Sequence, residues 1–293
     1  MRKIKGNRFW SSAFDAANGL FLVLLSLSML YPFLYILSMS FKAYGAYTDL
    51  SLIPKEFSFN AYRTVFRSEL IYYGFFNSVV RTVLGTVLTL VATVLAAYPL
   101  SKPYFPNRIF WTVFILVSMF FSGGLIPTYM LVRSLNMIDS IWALVIPGLV
   151  TTSTVLLVRN FLRTLPESVE ESARMDGAND IVVLFRIVIP MAAPIIATVT
   201  LWTAVRHWNE WFDALIYITK IKNQVLMVML QRILVQGTTQ MMKLNAVKSD
   251  IKPVNPDFVK AATIIVTMLP ILVVYPLLQK HYVKGMMLGS VKG

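Results

Sequence analysis

Six stretches of the chain carry no Asp, Glu, Lys or Arg: 16–41, 82–101, 109–132, 140–158, 187–205 and 261–279. Each is at least 19 residues long, and a helix needs about 20 residues to cross roughly 30 Å of hydrocarbon. The stretches are apolar on all sides, whereas barrel strands alternate apolar and polar at every second residue. The pattern predicts an all-α integral membrane protein with six transmembrane helices.

Punctuation inside and between the stretches refines this. The second helix is expected over about 72–100, ending near Pro99, followed by a tight turn with Lys102, Pro103, Pro106 and Arg108. Gly123-Gly124 with Pro127 interrupts the third stretch, and Pro147-Gly148 the fourth. Each is either a kink or a break that protein or a water-filled cavity must re-satisfy. Between the fourth and fifth stretches lies the most charged segment, 159–190. Pro166-Glu167 is a helix start, Val169, Ala173 and Met175 form a stripe, and Gly177 interrupts it. Asn179 or Asp180 can cap a second short helix with apolar positions Ile181, Leu184, Phe185 and Val188. The segment thus predicts a helix–Gly–helix hairpin. The longest loop, 207–257, opens on His207-Trp208-Asn209-Glu210-Trp211-Phe212-Asp213 and reads as folded.

Composition agrees with the pattern. The chain has 293 residues, 57% hydrophobic and only 14% charged, where a soluble domain carries about 25% charged residues. There is no cysteine, which excludes disulfides, thiolate metal sites and Cys nucleophiles, and two histidines do not make a multi-histidine metal site. The net charge of +13 is read as basic loops against anionic headgroups, not as nucleic-acid binding. An even number of spans puts both termini on one side. Arg2, Lys3, Lys5 and Arg8 precede the first span, so both termini are expected in the cytoplasm. The first apolar stretch is too long for a signal-peptide core and no Ala-x-Ala site follows closely, so it is read as a retained anchor. The domain reading is 1–71 (basic segment, helix 1 and outer loop), 72–280 (transmembrane domain) and 281–293 (cytoplasmic tail).

No catalytic or metal set is visible. The chain contains no Gly-x4-Gly-Lys-Ser/Thr phosphate loop, no His-Glu-x-x-His and no Gly-x-Ser-x-Gly. A polar solute crossing the membrane would meet aromatic faces and hydrogen-bonding polar groups, at depths where helices are broken. By that chemistry the substrate-path residues are Phe120, Phe121 and Tyr129 near the third stretch, and Trp202, Arg206, His207, Trp208, Asn209, Glu210, Trp211 and Asp213 at the fifth. The tryptophans equally suit an interfacial belt. Arg81 and Arg206 either snorkel to headgroups or face a cavity. A cation at a cavity mouth would suit a carboxylate.

The hairpin carries a resemblance. Glu170, Glu171, Ser172, Ala173, Arg174, Met175, Asp176, Gly177 and Ala178, followed by Ile189-Pro190, resemble the "EAA" loop of permease subunits of binding-protein-dependent ABC importers. Ser172 departs from the usual alanine but is nearly as small. The Asp-Gly-Ala at 176–178 and Trp-Asn-Glu at 208–210 resemble the carbohydrate-uptake branch. The runs 121–129 and 207–212 are similar to a narrower group importing acidic oligosaccharides such as alginate or aldouronate fragments, and would make the chain the second permease of such an importer. The resemblance implies a type I importer permease fold in a bacterial inner membrane, with 170–178 as an ATPase-coupling helix. It also implies a second homologous permease, two ABC ATPase subunits holding ATP and Mg, an extracytoplasmic solute-binding protein, and no cofactor in this chain. The alternative from the residues alone is an autonomous secondary sugar transporter or channel, which would need intramembrane ionisable groups or inverted repeats.

Overall fold

A computed structural model describes residues 7–43, 53, 54, 56–236 and 255–290. Arg2, Lys3 and Lys5 of the basic cluster, residues 44–52 and 55 of the first outer loop, 237–254 of the longest loop and the last three residues of the tail lie outside the described residues. The chain folds as two compact units, Met1–Ser68 with Arg232–Thr267, and Glu69–Gln231 with Met268–Gly293. Among the described residues there is no strand, only an isolated antiparallel bridge between Lys42 and Phe57.

In the first unit, helix α1 (Asn7–Ser40) is apolar all round, with no acidic residue in its first turn. The chain after it is closed by short-range polar and aromatic contacts to α2 (Asn60–Phe66). The Ser40 and Tyr62 hydroxyls lie 2.8 Å apart, and the Phe41 ring meets Phe59 edge-on at 5.4 Å. Burial pushes the Tyr62 phenol up, against the opposing hydrogen bond to Ser40.

The second unit is organised by α3 (Glu69–Ser101). Its inner face repeats small residues at helical spacing: Gly74, Ser78, Gly85, Thr89, Thr93 and Ala97 are all inward. Lipid tails are as apolar as leucine, so helices in a bilayer associate through close packing, and small residues permit it. The clearest instance is Gly85. A Cβ there would lie 2.6 Å from His207 Nε2, so no larger residue fits without displacing a buried ring. Two helices pack on this face: α7 (Thr152–Leu162) and α11 (Ala193–Asn209). Val94 and Ala97 of α3, Val155 and Val158 of α7 and Val199 of α11 share one buried core.

The predicted breaks are complete. Helices α4 (Arg108–Phe120) and α5 (Leu125–Ser134) bend by 111° across 121–124. Gly124 sits at φ +82°, a conformation that glycine adopts without a Cβ penalty. The fourth stretch is not one helix. It is split into α6 (Trp142–Val145) and α7, with Pro147-Gly148 in the non-helical link. Pro147 has no N–H to continue the ladder. The freed Gly148 carbonyl accepts from Arg206 Nη2 at 3.0 Å.

Among the described residues, three helical stretches are long and apolar enough to cross a membrane, Phe14–Ser40, Glu69–Ser101 and Pro256–Val274, or five if each bent pair is one span. The second bent pair is Asp180–Met191 with Ala193–Asn209, at 81°. The expected count of six is therefore not reproduced by length and apolarity, and 140–158 is the stretch that differs. Helices α12 (Phe212–Tyr217) and α13 (Leu226–Gln236) fill the start of the longest loop. The last helix, α14, runs Pro256–Ser290.

Candidate functional site: a charged cavity and a buttressed hairpin

The second unit holds a cavity of about 250 Å³ where the break in the fourth stretch faces α3, α11 and α12. Its walls carry two cations, Arg81 and Arg206, two acids, Glu210 and Asp213, and His207, alongside Pro147, Gly148 and Tyr217. This is an unusual density of ionisable groups for a chain with so few, and groups of this kind at membrane depth generally face a cavity or bundle interior.

Arg81 is only 2% exposed. Its Nη2 pairs with Asp213 Oδ2 at 2.5 Å, and its Nη1 donates to the Glu210 carbonyl at 2.8 Å. It therefore does not snorkel to the headgroups. Arg206 donates from Nη1 to Thr151 Oγ1 at 3.0 Å and from Nη2 to the Gly148 carbonyl at 3.0 Å. These acceptors are neutral, so both bonds fix the guanidinium without cancelling its charge. His207 is buried against Gly85.

Of the residues expected on a substrate path, the cavity gathers Arg206, His207, Glu210 and Asp213. Tyr129 stands behind the wall, stacked on Tyr217 with centroids 6.2 Å apart. Phe120, Phe121 and Trp202 are exposed on the outside of the unit and do not line the cavity. Trp208 is buried edge-on against Phe75, Asn209 donates to the Val205 carbonyl of its own helix, and Trp211 packs edge-on against Phe212. Sequence reasoning left Arg81 open and missed Tyr217. The signal for Arg81 was its place at the edge of an apolar stretch. Its acid partner stands 132 residues further along the chain.

Beyond the Tyr217 wall an exposed clasp closes the neighbouring turn. Asp139, at φ +61°, accepts from the Thr219 hydroxyl and amide, each at 2.6 Å, and from the Lys220 amide at 2.8 Å. The Thr219 hydroxyl and then the Lys220 amide hold its carboxyl below the usual range.

The 159–190 segment forms a hairpin. Helix α8 (Glu167–Met175) ends at Gly177, φ +87°. The Gly177 amide donates to the Arg174 carbonyl and the Ala178 amide to that of Ala173, both at 3.0 Å, a Schellman closure. Asn179 is the cap of α9 (Asp180–Val183), accepting from the Val182 amide at 2.9 Å. A π-helical turn (Leu184–Val188) and α10 (Ile189–Met191) continue to α11. The predicted apolar stripes are divided. Leu184 and Val188 are buried, whereas Met175, Ile181 and Phe185 are exposed. Glu170 faces inward, only 3% exposed, and pairs with Lys102. Glu167, Glu171 and Asp176 stay exposed. Ser172 donates to the Ser168 carbonyl at 2.8 Å.

The family model described as "Binding-protein-dependent transport system inner membrane component" matches residues 13–288. The chain belongs to this family. The match extends beyond 72–280, read above as the transmembrane domain, and takes in most of α1. Among relatives, the Bacillus subtilis "Polygalacturonan/rhamnogalacturonan transport system permease protein YtcP" is 36% identical over 275 residues, 93% of this chain and 96% of that protein. "Protein LplC" of the same organism is 38% identical over 282 residues, 96% of this chain and 95% of that protein. A solved chain from "a bacterial ABC transporter involved in the import of the acidic polysaccharide alginate" superposes with a TM-score of 0.86 at 31% identity, covering 96% of this permease and 99% of that chain.

Proposed function

We propose that this permease is one half of the translocation path of an ATP-driven importer for acidic oligosaccharides of the alginate, aldouronate or polygalacturonan type. The transport roles of one relative and of the solved neighbour support this reading, since both concern uronate-containing polymers. The chain crosses the inner membrane six times, the fourth passage being the broken pair α6 and α7, with both termini cytoplasmic. A second homologous permease completes the path. Two ABC ATPases carrying ATP and Mg dock on the hairpin 170–178, and an extracytoplasmic binding protein delivers the sugar. A cavity of about 250 Å³ lies below the roughly 300 Å³ at which small-molecule sites begin, as suits half of a shared path.

The observation that carries the acidic substrate is Arg206. It lines the cavity with its guanidinium hydrogen-bonded to neutral acceptors and in no ion pair among the described residues, so a substrate carboxylate competes for it only with the field of Glu210 and Asp213 across the cavity. Alternating access follows: closure of the ATPases displaces the hairpin, and the helices open the cavity towards the binding protein.

The test is uptake of radiolabelled oligogalacturonate, oligoalginate and a neutral pectic oligosaccharide by cells lacking this permease and complemented with it or with Arg206→Gln. A charge-assisted hydrogen bond contributes about 1.5–3 kcal/mol, so uronate uptake should fall roughly 10- to 100-fold while any neutral uptake is unchanged. Equal loss of both, or complementation for the neutral sugar alone, would contradict the acidic reading.

A further inference from the structure

The hairpin runs on through α11 to the cavity, and α3 joins the two a second time, with an ion pair fastening it to each. At the hairpin end, Lys102 follows directly after α3 and is 5% exposed; it pairs with Glu170. The Tyr98 hydroxyl also donates to Glu170, at 3.4 Å, and Arg174 stands 3.8 Å from the same carboxylate. Arg174 in turn bonds Tyr104 and pairs with Asp180 at 3.1 Å. The α3 carbonyl of Leu100 accepts from Arg159 of α7 at 3.0 Å. At the cavity end, Arg81 of α3 holds Asp213 and the Glu210 carbonyl. Arg81 lies within α3 and Lys102 directly after its last residue, the two separated by about 30 Å at 1.5 Å per residue.

We propose that α3 is a transmission rod and that Lys102 and Glu170 are the positioning residues that make the hairpin and the rod move as one body. A buried carboxylate stripped of its cation is strongly unfavourable. Separating the hairpin from α3 breaks this pair and strands the buried Lys102 ammonium, so the two are held together and a push on the hairpin is delivered to Arg81 and the cavity wall. Glu170 is thus spent inside the permease, while Glu171 on the next position stays exposed. The inference rests on the transport reading above for the direction of the push, but the fastening itself does not.

The experiment uses the permease purified with its partner subunits and the same permease in native membranes. The chain has no cysteine, so Ala173→Cys, packed against the buried core, is a clean reporter of hairpin docking. Maleimide should label it slowly in the parent and about tenfold or more faster with Lys102→Met, the scale of a coupling of 1–3 kcal/mol. In the purified complex without the reporter, Lys102→Met should keep its ATP hydrolysis but lose oligogalacturonate uptake by a similar factor, and Lys102→Arg should restore it. If Lys102→Met does not accumulate, Glu170→Gln carries the labelling comparison alone, with a smaller change. Unchanged labelling, or unchanged uptake per ATP hydrolysed, would overturn the proposal. A parent complex without uptake would count against the proposed substrate, while the labelling still decides the fastening.

Discussion

Arg81 and His207 show how much of the site depends on single side chains placed against α3. Removing one partner of a buried ion pair costs roughly 3–5 kcal/mol. Asp213 is about a quarter exposed on its side chain, so water offsets part of that. Asp213→Asn is expected to destabilise the detergent-solubilised permease by about 2 kcal/mol, read as a lowered thermal unfolding midpoint; an unchanged midpoint would contradict the pairing. Gly85→Ala presses a methyl into the His207 ring and should cost about 1–3 kcal/mol, with His207→Ala in the same chain restoring most of it. Chemistry alone singled out Arg206, His207, Glu210 and Asp213, because ionisable groups beside apolar stretches are rare. It also singled out Phe120, Phe121 and Trp202, which the fold turns outward. Aromatic residues suit lipid and sugar equally, and only the packing separates the two.

Among the elements, the hairpin was the most legible and also the most partially read. Its start, its glycine and its cap follow from local rules, and the structure has Asn179 as the cap and Gly177 at positive φ. What periodicity missed was which face turns inward. Glu170 is buried and Met175 exposed, because the partner that makes Glu170 burial favourable, Lys102, lies 68 residues earlier. Gly177→Pro cannot adopt φ +87° and lacks the donated amide. It should abolish uptake while the chain still reaches the membrane, and normal uptake would remove the hairpin from the mechanism. The Asp139 clasp gives a pH dependence. Its carboxyl is depressed when folded, so its contribution is present above the ordinary carboxylate range and is lost as pH falls through the lower folded value. Asp139→Asn should flatten the acid side of the stability profile; an unaltered profile would show that the clasp is not what titrates.

For the whole molecule, the apolar windows located the long helices α1, α3, α11 and α14 but not α2, α8, α9, α12 and α13, and α3 at Glu69–Ser101 differs from the expected 72–100 only at its ends. They left open whether Pro147-Gly148 kinks or breaks 140–158, because the group that satisfies the Gly148 carbonyl of the non-helical link, Arg206, lies 58 residues further along the chain. Nor could they show that two charge pairs tie one helix to both the cavity and the hairpin. Those contacts exist only once the chain is folded, and they define the account's central claim: this permease works as a part, driven through its hairpin by ATPases it does not itself contain. The direct measurement is to tag the chain in its native membrane, solubilise it gently and identify what co-purifies by mass spectrometry. The account predicts a second, homologous permease and an ABC ATPase in stable association, and loss of the ATPase with Gly177→Pro. Recovery of the chain alone, in a form that takes up oligosaccharide without ATP, would contradict it.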